Sequence, residues 1–481
     1  MTVTGRVREV PQRNASLSFP DAAVRETSAV TTGTERTTTT ARKLGLGWKL
    51  HGDGTTPRPG ESVAPDERLS WPRTLGFGAQ HVVAMFGATF VFPVLMGLDP
   101  NLAIMVSGVA TILFLLIVQG RIPSYLGSSA SFVGAVTAIR AGGGDSATVT
   151  GAILVAGAVL AAIGVIIHVA GARALQRLLP PAVSGAVVML IGFNLAPVVA
   201  ETYWPQDQWI ALITMVIVLV CSVLLRGLWG RIAVFLGLVA GYGLSWVFDR
   251  WFGMLRSPNA SGEVVERFRV DLSAVAQADW LGLPTLHAPD FEASAIALVL
   301  PAVIALLAEN TGHIKAVGEM TGREVESSLG RAIFADGFTS TLSASVGGPP
   351  TTTYAENIGV MAATRVYSTA AYWVAALVAI VLGLCPKFGA VIAATPGGVL
   401  GGITVVLYGM IGLLGARIWV QNRVDFADPA TLLPLAAGVI VGVGGVSLQV
   451  TPQFSFGGIA LGTIIVLLGY HFLRAFAPTR R

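Results

Sequence analysis

Charge is what this chain has least of. Only 12% of its 481 residues are Asp, Glu, Lys or Arg, against 53% that are hydrophobic, and the mean hydropathy is +0.70. A soluble domain carries about 25% charged residues, so a water-soluble reading would require two or three domains with almost no charged surface. Lipid as the solvent removes that requirement. Cysteine is also scarce. Cys221 and Cys385 both lie in apolar runs, which excludes a disulfide framework and a thiolate metal site and leaves two buried thiols. The excess of base is small, a net charge of +4, and its residues are dispersed. That argues against a nucleic-acid partner and fits basic loops on the cytoplasmic face of a membrane protein. No metal or cofactor is expected.

Residues 1–70 differ from the rest. Thr31 to Thr40 is almost all Thr and Gly, with one Glu and one Arg, and Gly52 to Pro65 is rich in Gly and Pro. Neither has a period that could bury a core, so a disordered, dispensable cytoplasmic tail is expected, without the basic-then-apolar pattern of a cleaved signal peptide. From Gly76 onward the chain is a succession of apolar spans, read at 76–97, 101–119, 128–139, 149–171, 181–200, 208–225, 230–248, 292–311, 331–346, 351–363, 369–393, 397–416, 429–447 and 457–473. The expected fold is therefore an all-α polytopic membrane protein of about 14 spans. With the N-terminus inside, an even count returns the C-terminus inside. Arg121, Arg173, Arg177, Arg226, Arg323 and Arg365 then fall in short cytoplasmic turns, as the distribution of base in membrane proteins requires.

Two of these spans are short and polar. One contains Gly127-Ser128-Ser129-Ala130-Ser131-Phe132-Val133-Gly134. The other contains Gly347 to Asn357, where Pro349 and Pro350 lack backbone donors and Thr351, Thr352 and Thr353 favour extended structure. Irregular backbone at membrane depth persists only where it is buried in protein or lines a cavity. These spans are third and tenth in order, corresponding members of two seven-span halves, and paired interrupted spans point to a transporter's midplane site. Two glycine- and serine-rich packing faces are the bland alternative.

Ionisable residues inside spans are functional candidates by default. Glu309 and His313 are spaced i, i+4, on one helix face, and a carboxylate with an imidazole can hold or pass a proton; a helix-end pair near Lys315 is the structural alternative. Glu356 follows the second broken stretch and opens an apolar helix. It is either a simple cap or a ligand beside free backbone N–H groups. Carboxylates that accept from N–H, with backbone donors for C=O, complement a cyclic imide or amide, and Phe132 and Tyr354 are placed to cover a flat ring. A small planar polar solute follows. His81, in the first span, is a supporting group or a satisfied structural histidine.

At this point the chain resembles the nucleobase–ascorbate transporters, also called nucleobase:cation symporter-2, and among them the bacterial uracil permeases. The resemblance rests on Gln80 to Thr89, on Ile122 to Ser129, on Glu309 with Gly312-His313, and on Thr351 to Arg365, where an acid is followed by Asn-x-Gly, four residues and Thr-Arg. It implies two inverted seven-span repeats. A core domain would comprise residues 71–177 and 291–395, and a gate domain 178–290 and 396–481, through which two copies would dimerise. It implies that Glu309 and Glu356 bind a pyrimidine, assisted by backbone near Phe132, Tyr354 and Ala355, and that His313, Glu309, His81 and Asn357 serve proton coupling. Ala355 stands where a uracil permease has Gly, and Glu356 where xanthine and urate carriers have Gln. The function implied is uracil import by proton symport in a bacterial inner membrane, with both termini cytoplasmic. The nearest rival is a purine or xanthine carrier of the same fold. An anion carrier is disfavoured by two site carboxylates, and an enzyme by the lack of a nucleophile or metal set beside Glu309 and His313.

Overall fold

The computed structural model describes residues 47–476, apart from 56, 59, 172, 174–176, 227, 260, 261, 452 and 453; most of the expected tail, residues 1–46, lies outside them. Two strand pieces, β1 (Lys49–Leu50) and β2 (Glu67–Arg68), precede a mostly helical body. Its first part is α1 (Trp71–Ala84), α2 (Phe86–Met96), α3 (Pro100–Ile117), β3 (Leu126–Ser128), α4 (Val133–Ala141), α5 (Ser146–Ala170), α6 (Pro181–Phe193), α7 (Gln208–Leu224) and α8 (Ala233–Phe252). A hairpin, β4 (Leu255–Pro258) and β5 (Val264–Arg267), leads to α9 (Ala293–Thr321), α10 (Leu329–Ser345), β6 (Thr351–Thr353), α11 (Ala355–Thr364), α12 (Thr369–Gly383) and α13 (Pro386–Ala393). The chain closes with α14 (Gly397–Gln421), α15 (Pro429–Val443), a hairpin β7 (Ser447–Thr451) and β8 (Phe454–Gly457), and α16 (Gly458–Phe476).

Helix starts follow from short acids and prolines. Asp99, Asp145, Asp207 and Asp428 each accept from backbone N–H groups of the turn they open, satisfying donors with no helical partner and meeting the positive end of the helix dipole. Pro100 and Pro429 occupy first-turn positions where no bond is lost. Gly97 and Gly322, at φ 67° and 65°, end α2 and α9 in the left-handed conformation. Among the described residues, seven helices are long and apolar enough to cross a bilayer, and an eighth if α12 and α13, bent by 84°, form one span. Of the remaining expected spans α7, α10 and α15 are shorter, those at β3–α4 and β6–α11 are broken, and α8 has the length, 20 residues, but not the apolarity.

The helices form two packed sets. In one, α5 lies against α10 and α9, α3 against α12 and α10, and α1 against α12; in the other, α14 packs on α6 and α7, and α15 and α16 pack on each other and on α6. Small residues set the distances. A methyl on Gly164 of α5 would lie 2.3 Å from the Phe334 nitrogen, and one on Gly192 of α6 would lie 2.2 Å from that of Gly412. Such backbone approach is how helices associate where water provides no drive. The long loop after α8 is fixed by a charge triad. Arg269 donates to Asp207 at 2.7 Å and to Asp249 at 3.1 Å, with both carboxylates largely shielded, and this ties the β4–β5 hairpin to the start of α7 and the end of α8.

Residues 47–70 depart from the expected disorder. Val63 N–H donates to the Arg365 carbonyl, Tyr367 N–H to that of Val63, and Thr369 N–H to that of Pro65. The Trp48 indole donates to Thr369 Oγ1 at 2.7 Å, and Val63, Leu69 and Val366 form a small core against Phe77. Arg323, just beyond α9, pairs with Asp66. Burial works to raise the Asp66 carboxyl, but the Arg323 hydrogen bond and charge outweigh it and hold the group below its ordinary value. The segment lacks helical or strand periodicity because its partners are other parts of the chain, which a periodicity argument does not register. It is a strap across the helix ends. A chain starting at residue 47 should keep the thermal midpoint of the full protein in detergent. A chain starting at 71, which exposes Val366 and Phe77 and leaves the 365–369 backbone unpaired, should unfold several degrees lower; equal midpoints would mean the strap holds nothing together.

Candidate functional site

The two broken spans meet. β3 and β6 run antiparallel, with Leu126 opposite Thr353, Gly127 opposite Thr352 and Ser128 opposite Thr351, and every residue of both strands is buried. Three ladder pairs cannot satisfy this much backbone, and side chains supply the rest. Leu126 N–H donates to Thr111 Oγ1, and Ser129 N–H to the Pro350 carbonyl. Ser340 of α10 accepts from Thr351 N–H and donates to its carbonyl, and Ser343 donates to the Pro349 carbonyl. Asn310 Oδ1, one turn before His313 on α9, accepts from Thr352 Oγ1 at 2.8 Å and Thr353 Oγ1 at 2.9 Å.

Each strand then turns into a short helix, α4 or α11, that begins beside the crossing. Tyr354, the residue before α11, is buried; its hydroxyl donates to the Ser128 carbonyl at 2.8 Å and receives one from Thr89 at 3.3 Å. Its ring lies over Gly127, where a Cβ would come within 2.6 Å of it. Ala355 and Glu356 form the first turn of α11 and are both part-exposed, while Asn357 is buried. On α9, Glu309 is part-exposed between buried Ala308 and Asn310, and Ser131 Oγ donates to its Oε2 at 3.1 Å. Phe132 follows Ser131 and is buried at the start of α4.

His313 does not turn to Glu309. Its Nδ1 lies 2.9 Å from Thr353 Oγ1. Thr353 spends its single proton on Asn310, so the imidazole must be the donor in this contact. The proton therefore sits on Nδ1, and Nε2 is the free acceptor. His81 is placed apart from the carboxylates. It is buried behind α11, its ring 4.3 Å from that of Tyr372 and tilted to it by 30°, and Asn357 Nδ2 donates to its carbonyl at 3.1 Å and lies 3.2 Å from its Nδ1. His81 and Asn357 thus form one unit that fixes α11 to α1.

A cavity of about 360 Å³ borders this arrangement. Ser131, Gly134 and Ala302 line it from α4, its preceding turn and α9, while Asn194 and Ile459 close it from the α6 end and α16. It lies between the two helix sets, within the size range of small-molecule sites.

Sequence reasoning overlooked three polar residues. Ser131, the donor to Glu309, sits inside the quoted Gly/Ser stretch, but nothing in the sequence says which serine would face α9. Asn310 lies between two candidates and carries no charge to single it out. Asp336 of α10 is fully buried, and neither carboxylate oxygen has a partner among the described residues. As an acid within an apolar span it did carry a signal. Among the described residues, no group of three or more His, Cys, Asp or Glu is placed to hold a metal ion.

The sequence pattern of a permease family matches residues 72–451. The chain is 44% identical over 413 residues, 84% of its length and 90% of the relative's, to RutG of Escherichia coli K12, provisionally named a pyrimidine permease. It is 37% identical to the uracil permease of Bacillus caldolyticus, covering 81% of this chain and 89% of that one, and 34% identical to the uracil permease of Escherichia coli K12, covering 84% and 92%. Among solved structures it resembles in fold the murine anion transporter Slc26a9 in an inward-facing state, with a TM-score of 0.63, 12% identity and coverage of 95% and 74%. It also resembles the transmembrane domain of the cyanobacterial bicarbonate transporter BicA, with a TM-score of 0.54, 15% identity and coverage of 83% and 96%.

The crossing yields a direct test. Gly127→Ala places a methyl against the Tyr354 ring, which is too enclosed to swing aside. Uptake should be lost at normal membrane abundance, whereas Gly243→Ala, on α8 with nothing within 4 Å, should transport normally. Full uptake by Gly127→Ala would show that the Tyr354 contact is not needed.

Proposed function

This chain belongs to the permease family, and we propose that it is a secondary active transporter that imports uracil or a close pyrimidine relative by proton symport and alternating access. The observation that carries the reading is the β3–β6 crossing, from which α4 and α11 start and beside which Ser131, a wall residue of the cavity between the two helix sets, donates to Glu309. A pyrimidine offers N–H donors and C=O acceptors around a flat ring. Glu309, held by Ser131, and Glu356 accept from the N–H groups, while the positive N-terminal ends of α4 and α11 receive the carbonyls. Backbone near Phe132, Tyr354 and Ala355 shapes the slot. The names of the relatives support a pyrimidine, and the acid at Glu356 favours it over a purine.

Coupling falls to His313. With Nδ1–H fixed on Thr353, its Nε2 takes the proton, and Glu309, one turn away on α9, completes the relay; the His81–Asn357 unit holds α11 in register with it. Uracil is neutral, so one proton per cycle moves one charge. That is worth about 2.3 kcal/mol per 100 mV, or roughly fifty-fold accumulation.

Fourteen spans in two inverted repeats fit the packing. Under a seven-span shift, the pair α5–α10 maps onto α12–α3, α1–α12 onto α9–α5, and the crossing onto itself. On this reading α1–α5 with α9–α13 is the core that carries substrate, and α6–α8 with α14–α16 is the gate, through which two copies form a homodimer. The protein sits in the bacterial inner membrane with both termini cytoplasmic.

Two measurements test the division of roles. Glu356→Gln replaces an acceptor oxygen with a donor facing a ring N–H, so uracil affinity of the purified protein should fall about tenfold to a few hundredfold, the equivalent of roughly 1.5–3 kcal/mol. Unchanged affinity would reduce Glu356 to a helix cap, and tighter xanthine binding by the wild type than uracil would favour the purine reading. His313→Ala should keep uracil affinity within about tenfold while uphill uptake collapses and counterflow persists. Joint loss of affinity would make His313 a ligand.

A further inference from the structure

A second cavity, of about 280 Å³, lies at the opposite end of the first helix set from the Arg140 end of α4, under the strap. It is lined by Lys49 and Asp66 of the strap, by Gln119, Gly120 and Arg121 after α3, and by Arg323 after α9. None of these residues takes part in the site above. Three cations face one carboxylate, and that carboxylate is already paired with Arg323. Lys49 and Arg121 have no carboxylate within ion-pair distance among the described residues. The other acid nearby, Glu324, directs its oxygens to the amide and hydroxyl of Ser327. Glu324 keeps its negative charge and acts on Arg121 across the loop, so three cations are set against two acids and an excess of positive charge remains at the cavity.

We propose that this cavity binds a phosphate group, donated either by a soluble phosphate-bearing anion or by a lipid headgroup. A phosphate anion matches the excess of positive charge. The forked guanidinium of Arg121 suits its oxygens, and the Lys49 ammonium adds a point charge; the Gln119 amide supplies a neutral donor. The lining comes from three separate stretches of chain, so a bound phosphate joins the strap to the ends of α3 and α9. Its occupancy thus sets how firmly the strap is held. Placement at a helix-bundle end beside Trp48 and Trp71, whose rings meet edge-on at 6.4 Å, is compatible with both sources, since such rings mark the membrane–water boundary.

The test uses the full-length protein purified in detergent. Inorganic phosphate is titrated at constant ionic strength against chloride, with the thermal midpoint and calorimetric heat as readouts. In parallel, the protein is placed in phosphatidylcholine bilayers with and without phosphatidic acid. Saturable stabilisation by phosphate in detergent identifies a soluble ligand, and stabilisation by phosphatidic acid alone identifies a headgroup; both support the site. In either arm, Lys49→Gln and Arg121→Gln should each weaken the response at least tenfold while leaving uracil binding unchanged, so the outcome is independent of the transport reading. Absence of a saturable response in both arms overturns the proposal, as does a response that both variants retain in full.

Discussion

The structure depends on a requirement of backbone chemistry in lipid. Peptide N–H and C=O groups at membrane depth must be paired inside the protein, and β3 and β6 are the only extended segments here to sit fully buried within the helical body among the described residues. Each strand is too short to satisfy itself, so each needs the other and then the side chains around both. Ser340 and Ser343 of α10 and Thr111 of α3 spend their hydrogen bonds on this backbone, and Asn310 of α9 accepts from the hydroxyls of Thr352 and Thr353 on β6. The order of helices in the first set is thus tied to the crossing.

The consequence for chemistry is direct. Ending two extended pieces at one place starts two short helices there, α4 and α11, so that both helix N-termini lie at the crossing. Glu356 is positioned by its place in the first turn of α11, and Ser131 by the turn before α4, which aims its hydroxyl at Glu309. The same network selects the His313 tautomer, because Asn310 consumes the Thr353 proton. Support of the backbone and preparation of the site are therefore one set of bonds. Altering Asn310 disturbs both, since two threonine hydroxyls lose their acceptor in a dry interior, at a cost of about 1–3 kcal/mol for each unpaired group.

The strap makes a complementary point about ordering from outside the bilayer. Its strands are two residues each, and it contributes two side chains, Val63 and Leu69, to the small core it shares with Val366. It could not fold alone. It is held because the 365–369 connector presents free backbone groups and Val366, and because Arg323 offers a charge. Arg365 ends α11 at φ 56°, turning the chain so that its carbonyl faces Val63. A signature residue next to the site thus has a second structural task at the far end of the same helix.

The sequence by itself determined the solvent, the succession of apolar segments and the two places where they had to be interrupted. Scarcity of charge, and Pro349-Pro350 followed by three threonines, are local and read directly. It also marked Glu309, Glu356 and His313, because an ionisable group in an apolar span is costly wherever it points. Direction and partnership were decided only by tertiary structure. The i, i+4 spacing of Glu309 and His313 suggested mutual contact, yet packing sends one to Ser131 and the other to Thr353. His81 faces Tyr372 and Asn357 instead of the cavity. The strap looked like a tail because its partners lie some 300 residues away, as between Trp48 and Thr369. Contacts across that separation leave no period in the sequence, since the stabilising partner is supplied by the fold and not by the segment.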